Sequence, residues 1–211
     1  MDSNLAAWTQ PFANAVDWVI NIGGAKSGSR VAVIGPGYHG VAAVAAATAV
    51  GAEEIVVLGR NSAPAGPPGD CRGHGRLHPH QRQRRDNFAA LGSHGKGNGF
   101  DVIVDTVGLG GPALGTTEHL RKLGRLVLAG SEILRRRSEP ENPRTGASGV
   151  VGVRGRSPEA VTRSIELLAA GNTGLEHVPA STSVWTASTT CSAPCWTGQA
   201  SSPHVVIRPA L

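Results

Sequence analysis

Three glycines at fixed spacing constrain this chain more than any other feature. They lie in Arg30-Val-Ala-Val-Ile-Gly35-Pro-Gly37-Tyr-His-Gly40, which continues as Val-Ala-Ala-Val-Ala-Ala-Ala. A short apolar, β-branched run ends at Gly35 and an Ala/Val run begins without a polar break, so the glycines occupy a turn between strand and helix. A second apolar run, Ile55-Val-Val-Leu58, follows at the distance a strand–helix–strand unit needs. In a chain with 29 glycines the spacing alone would mean little. The flanking strand and helix give it meaning. Gly35 permits the tight turn, Gly37 leaves the backbone open to a pyrophosphate, and Gly40 lets helix and strand approach. Free N–H groups and the positive dipole end at the helix N-terminus then favour an anion. The arrangement predicts an α/β fold that binds a dinucleotide.

The neighbouring segments extend the unit. Residues 5–22, with Trp8, Trp18 and apolar spacing of three and four, read as a lead helix, and the glycine-rich stretch 23–29 turns into the first strand. Gly51 ends the fingerprint helix in the manner of a C-terminal glycine. After the second strand comes Gly59-Arg60. An acid there would bond a ribose 2′-hydroxyl, whereas an arginine pairs with a 2′-phosphate, which favours NADP over NAD.

Further strands are predicted at Phe100-Asp-Val-Ile-Val-Asp105-Thr-Val-Gly108, at Gly124-Arg-Leu-Val-Leu-Ala-Gly130 and at residues 150–153. Residues 112–122 have helical spacing. Ser157-Pro158-Glu159 places N-cap, N1 proline and first-turn acid in order before another helix, which Ile165, Leu167 and Leu168 should bury. His204-Val-Val-Ile-Arg208 is a candidate last strand.

Three stretches break the pattern, at about residues 61–98, 131–147 and 181–203. The first shows neither periodicity and few apolar anchors, too few to offset the entropy of ordering it. The second contains Arg135-Arg136-Arg137, and the third holds eleven Ser/Thr and no charge. Residues 61–99 carry six Lys/Arg against Asp70 and Asp86, so they account for most of the net charge of +5. Without interleaved aromatics these basic runs imply no specific nucleic-acid partner. Cys71, His74, His78 and His80 have ligand chemistry but match no zinc spacing. Cys71, Cys191 and Cys195 make no even disulfide framework. No charged-then-apolar leader opens the chain and no apolar run is long enough for a bilayer, so no membrane association and a cytoplasmic location are expected.

The ordered segments resemble the cofactor-binding domain of the medium-chain, zinc-type alcohol dehydrogenase superfamily. The resemblance rests on the glycine fingerprint, the Phe-Asp-Val-Ile-Val-Asp-Thr-Val-Gly strand, Gly-Arg-Leu-Val-Leu-Ala-Gly, and the Val-Arg-Gly-Arg-Ser-Pro-Glu-Ala-Val start of the last helix. It covers somewhat over half the chain. It implies a Rossmann-type doubly wound parallel sheet, incomplete here, and an oxidoreductase that transfers hydride between a nicotinamide dinucleotide and an alcohol or carbonyl. By that likeness Gly35, Gly37, Tyr38, His39 and Gly40 face the pyrophosphate and Gly59 and Arg60 the adenosine ribose. Thr106, Val107, Gly108, Ala129 and Gly130 face the nicotinamide half. Residues 1–24 become a lead helix left from an interdomain region, 25–179 the NAD(P)-binding domain, and 180–211 an irregular tail. Relatives also pair into homo-oligomers.

The family's N-terminal domain supplies cysteine, histidine and acidic ligands to a catalytic zinc. This sequence begins where that domain would end and contains no such ligand set, so it is expected to be a fragment, inactive alone or decayed to a non-catalytic nucleotide-binding module. The irregular stretches, which switch composition abruptly while overall spacing is kept, are expected to be translated out of frame. Family-like helix and strand in another frame of the coding DNA would bear this out; their absence across residues 61–98 and 181–203 would refute it.

Overall fold

Five short runs rich in Val, Ile and Leu form one parallel sheet. They are β1 (Arg30–Ile34), β2 (Glu54–Leu58), β3 (Phe100–Asp105), β4 (Leu120–Leu128) and β5 (Gly149–Gly152), in the spatial order β2-β1-β3-β4-β5. The structure is a computed structural model that describes residues 1–59, 88, 90–94, 97–108, 110–130, 149–184 and 204–208. Every strand pairing is parallel. β1 lies between β2 and β3, so the chain leaves it towards one side and returns on the other. That reversal opens a crevice at the carboxyl ends of β1 and β3.

A parallel sheet must be covered on both faces, and the alternation along each strand shows how. Val31, Val33, Val102, Val104 and Val127 point into one cluster with Trp8, Phe12, Val16 and the alanines of helix 38–49. Ala32, Ile34, Val56, Ile103 and Leu126 point into a second cluster with Phe100, Ala113 and Leu91. Leu91 comes from the 3₁₀ turn Ala90–Ser93.

The chain opens with α1 (Ser3–Ala6) and α2 (Thr9–Ala15), and α2 runs directly into a π-helical stretch, Val16–Ile22. The fingerprint helix is α3 (Tyr38–Ala49). Gly51, at φ 73°, follows its end as the sequence predicts. The short helix α4 (Gly111–Gly115) gives way to a 3₁₀ turn, Thr116–His119. The helix expected over 112–122 therefore stops early: Leu120 already pairs with Phe100, and Leu123 takes a positive φ of 66°.

α5 (Pro158–Ala170) begins at its Ser157 cap and ends at Gly171. It buries Ala160, Ser164 and Leu168, a stripe at four-residue spacing, while Leu167 is partly buried and Ile165 is exposed, contrary to expectation. A second, two-stranded parallel sheet joins β6 (Ala180–Val184) to β7 (His204–Arg208). β6 takes in the first residues of the Ser/Thr-rich stretch, and β7 coincides with the candidate last strand. Among the described residues no helix is long and apolar enough to cross a membrane.

Candidate dinucleotide site

The carboxyl ends of β1 to β4 are laced together by backbone bonds. Gly35 N–H donates to Leu58 O at 2.8 Å, Thr106 N–H to Ile34 O at 3.0 Å, and Ala129 and Gly130 N–H to Asp105 O at 2.9 and 3.1 Å. The turns after four strands therefore form one rim. Every described member of the predicted site lies on that rim.

Gly35 takes φ 103°, a region closed to most side chains, and a Cβ there would lie 2.5 Å from Val107 Cγ2 and 2.7 Å from Thr106 Oγ1. A Cβ on Gly40 would meet Gly35 O at 1.8 Å. Gly37 differs: it is exposed, and a Cβ there would meet nothing within 4 Å. It is also the N-cap of α3 and brings no side chain to the N–H groups of the first turn. Tyr38 and His39 occupy that turn, both half-buried; burial raises the Tyr38 phenol above its ordinary 10.0 and lowers the His39 imidazole below its ordinary 6.5.

At the end of β2, Gly59 lies against the Pro36 ring, where a Cβ would come within 2.8 Å of Cγ. Arg60 lies outside the described residues. At the end of β3, Thr106 Oγ1 donates to Ile34 O at 2.9 Å and binds the β3 turn to the glycine loop. Val107 is exposed beside Gly35. Gly130 approaches Gly108 so closely that a Cβ would fall 1.9 Å from its nitrogen. The structure thus brings Gly35 against Gly40, Thr106 and Val107, and Gly108 against Gly130.

Several residues that shape this rim were not singled out from the sequence. Asp105 is fully buried, and its Oδ1 accepts from the N–H of Val107 at 2.9 Å and of Gly108 at 3.1 Å. An aspartate followed by small turn residues at the end of an apolar strand is the signal that points to such a turn. Trp8 stacks on His204 at 4.4 Å between ring centroids, and Tyr38 lies 5.7 Å from the same imidazole. His204 Nε2 is 2.9 Å from Asn4 O. β7 therefore packs beneath the first turn of α3, a contact no local pattern announces.

Asn14, Asp17 and Arg156 form a further polar layer behind His39. Among the described residues no group of three or more His, Cys, Asp or Glu is placed to hold a metal ion. The Cys71–His80 cluster, Cys191, Cys195 and the basic runs at 81–85 and 135–137 lie outside the described residues.

A five-stranded parallel sheet with a glycine loop at its switch point defines a Rossmann-type dinucleotide fold. No protein-family profile and no curated protein matches the chain. Solved structures do match it. It is similar to 2R,3R-butanediol dehydrogenase from Bacillus subtilis, with a TM-score of 0.73, 16% identity and coverage of 100% of this chain and 59% of that one. It is also similar to alcohol dehydrogenase TADH from Thermus sp. ATN1, with a TM-score of 0.74, 19% identity and coverage of 99% and 59%. A short chain alcohol dehydrogenase from Escherichia coli CFT073, complexed with the cofactor NADH, gives a TM-score of 0.68, 15% identity and coverage of 100% and 60%. The chain spans about three fifths of the length of these structures. At this identity the likeness establishes the fold.

Proposed function

We propose that residues 25–179 are an NAD(P)-binding domain, preceded by a lead helix over 1–24 and followed by a C-terminal extension over 180–211. The observation that carries the reading is Gly37. It is open to solvent at the N-terminus of a twelve-residue helix, whereas Gly35 and Gly40 on either side are closed by their neighbours. An absent Cβ over free N–H groups fits a pyrophosphate lying directly on the backbone.

Gly35, Gly37, Tyr38, His39 and Gly40 would hold the pyrophosphate, and Gly59 with Arg60 the adenosine ribose. Thr106, Val107, Gly108, Ala129 and Gly130 would line the nicotinamide half. Arg60 favours NADP over NAD, because a guanidinium matches a 2′-phosphate. When bound, the dinucleotide supplies a hydride donor or acceptor; the protein residues bind and orient it. From the likeness to alcohol dehydrogenases, the reaction is hydride transfer between the nicotinamide and a small alcohol or carbonyl, with a catalytic domain supplied from elsewhere. Zinc finds no ligand set among the described residues, and no step of this reading runs through it.

A second reading, a non-catalytic or decayed nucleotide-binding module, is favoured by the sequence at 61–98, which breaks both helical and strand periodicity. Thermal unfolding and nicotinamide fluorescence with NADPH and NADH added separately decide the matter. A ligand that binds only the folded state stabilises it by about 2.7 kcal/mol at a hundredfold excess over Kd. The expected outcome is a higher midpoint with NADPH than with NADH. No shift with either sinks dinucleotide binding and leaves a decayed module.

A further inference from the structure

Behind the phosphate loop runs a polar relay whose chemistry is ordered from one end. Asn14, on α2 and only 5% exposed, lies between Arg156 and His39. Arg156 Nη1 donates to Asn14 Oδ1 at 3.3 Å, and Asn14 Nδ2 lies 3.5 Å from His39 Nε2. A guanidinium can only donate, so the amide oxygen must face Arg156. The amide NH₂ must then face the ring. Because that group also only donates, Nε2 must accept and can carry no proton. In the neutral imidazole the single proton is therefore on Nδ1.

An asparagine amide is assigned by its partners, and here one orientation satisfies both sides. Burial, which lowers the His39 imidazole from its ordinary value, acts in the same direction. An imidazolium would set a donor on Nε2 against the donor of Asn14. The loop carrying Arg156 is fixed on both sides of it. Trp18 Nε1 donates to Gly155 O at 3.1 Å, and Ser157 donates its N–H and, at 3.0 Å, its hydroxyl to the Asp17 carboxylate. The Trp18 ring itself lies 5.4 Å from that of His39.

We propose that Arg156 and Asn14 are positioning residues that fix His39 as the neutral Nδ1–H tautomer, so that the phosphate loop carries an imidazole N–H donor and no cation. The phosphate half of this statement rests on the dinucleotide reading above; the tautomer does not.

The test is nitrogen NMR on the full chain with ¹⁵N-labelled histidine at pH 7.5, with the His39 signals assigned through His39→Gln. Ring nitrogen shifts show which atom is protonated. Arg156→Lys, whose ammonium also only donates, keeps the proton on Nδ1. Arg156→Glu, whose carboxylate only accepts, draws the Asn14 NH₂ to itself, turns Oδ1 to the ring and moves the proton to Nε2. Arg156 is exposed, so neither change disturbs the core, and the backbone amide spectrum verifies the fold. Nε2–H in the wild-type chain, or one tautomer shared by wild type and Arg156→Glu, overturns the proposal. The expected switch on Arg156→Glu, together with a wild-type chain that fails to bind NADPH, establishes the relay and sinks the dinucleotide reading alone.

Discussion

Gly37 and Gly40 are separated by a single turn of chain and carry opposite constraints. A methyl group on Gly40 has no room beside Gly35 O, and relief requires the glycine loop to part from α3. Gly40→Ala should cost at least about 3 kcal/mol in urea unfolding, the range of severe overpacking. Gly37 has φ −76°, which any residue adopts, and an empty surround. Gly37→Ala should leave stability within about 0.5 kcal/mol, as at an ordinary surface position, yet weaken NADPH binding severely because the methyl occupies the place proposed for the pyrophosphate. A Gly37→Ala chain that binds as well as wild type would remove the central support for the site. The glycine spacing was legible from sequence, but the division of labour was not. Gly40 is closed by the backbone of Gly35, and Gly35 in turn by Thr106 and Val107, about seventy residues further on, while Gly37 meets nothing.

The elements divide in the same way. β1, α3 and β2 were readable because apolar periodicity and glycine punctuation are local properties, and α5 because its cap, N1 proline and terminal glycine are contiguous with it. The π-helical stretch was not readable. Its ties, Trp18 to Gly155 and Asp17 to Ser157, reach across 137 and 140 residues. Extra residues in a turn are held by such partners and not by propensity. Helical spacing over 112–122 misled because the sheet claims Leu120 for pairing with Phe100, and tertiary pairing outweighs a few tenths of a kcal/mol of propensity. Asp17 is the joint between the lead helix and α5. It accepts from Asn21 Nδ2 and from two donors of Ser157, which in turn caps Ala160 N–H at 3.1 Å. Ser157→Ala should cost about 1–2 kcal/mol, a lost cap. Asp17→Ala should cost more, about 3 kcal/mol, since it strands three partly buried donors at once. Equal costs in chemical unfolding would show that the carboxylate contributes nothing beyond the cap.

At the scale of the whole molecule, global stability should record the environment of His39. Its folded-state imidazole titrates below the ordinary value of 6.5, so the unfolded chain takes up a proton first as the pH falls. The stabilising contribution is fully present above about pH 6.5 and is lost as acidity passes through the lower, folded value. The urea midpoint should fall between pH 7.5 and 5.5, and His39→Phe should flatten part of that fall. An unchanged slope would place the titration elsewhere. The strand order carries a consequence of another kind, for the sequence of events in folding. β1 meets β2 after one helix, but Arg30 and Asp101, at the base of β1 and β3, are 71 residues apart. The β1–α3–β2 unit should consolidate first, and the docking of β3 should limit the rate. The entropy of closing that long loop grows only logarithmically, by about 0.6 kcal/mol per doubling. A change in the separation of β1 and β3 along the chain should therefore alter the refolding rate only a few-fold, provided Leu91 keeps its place in the core.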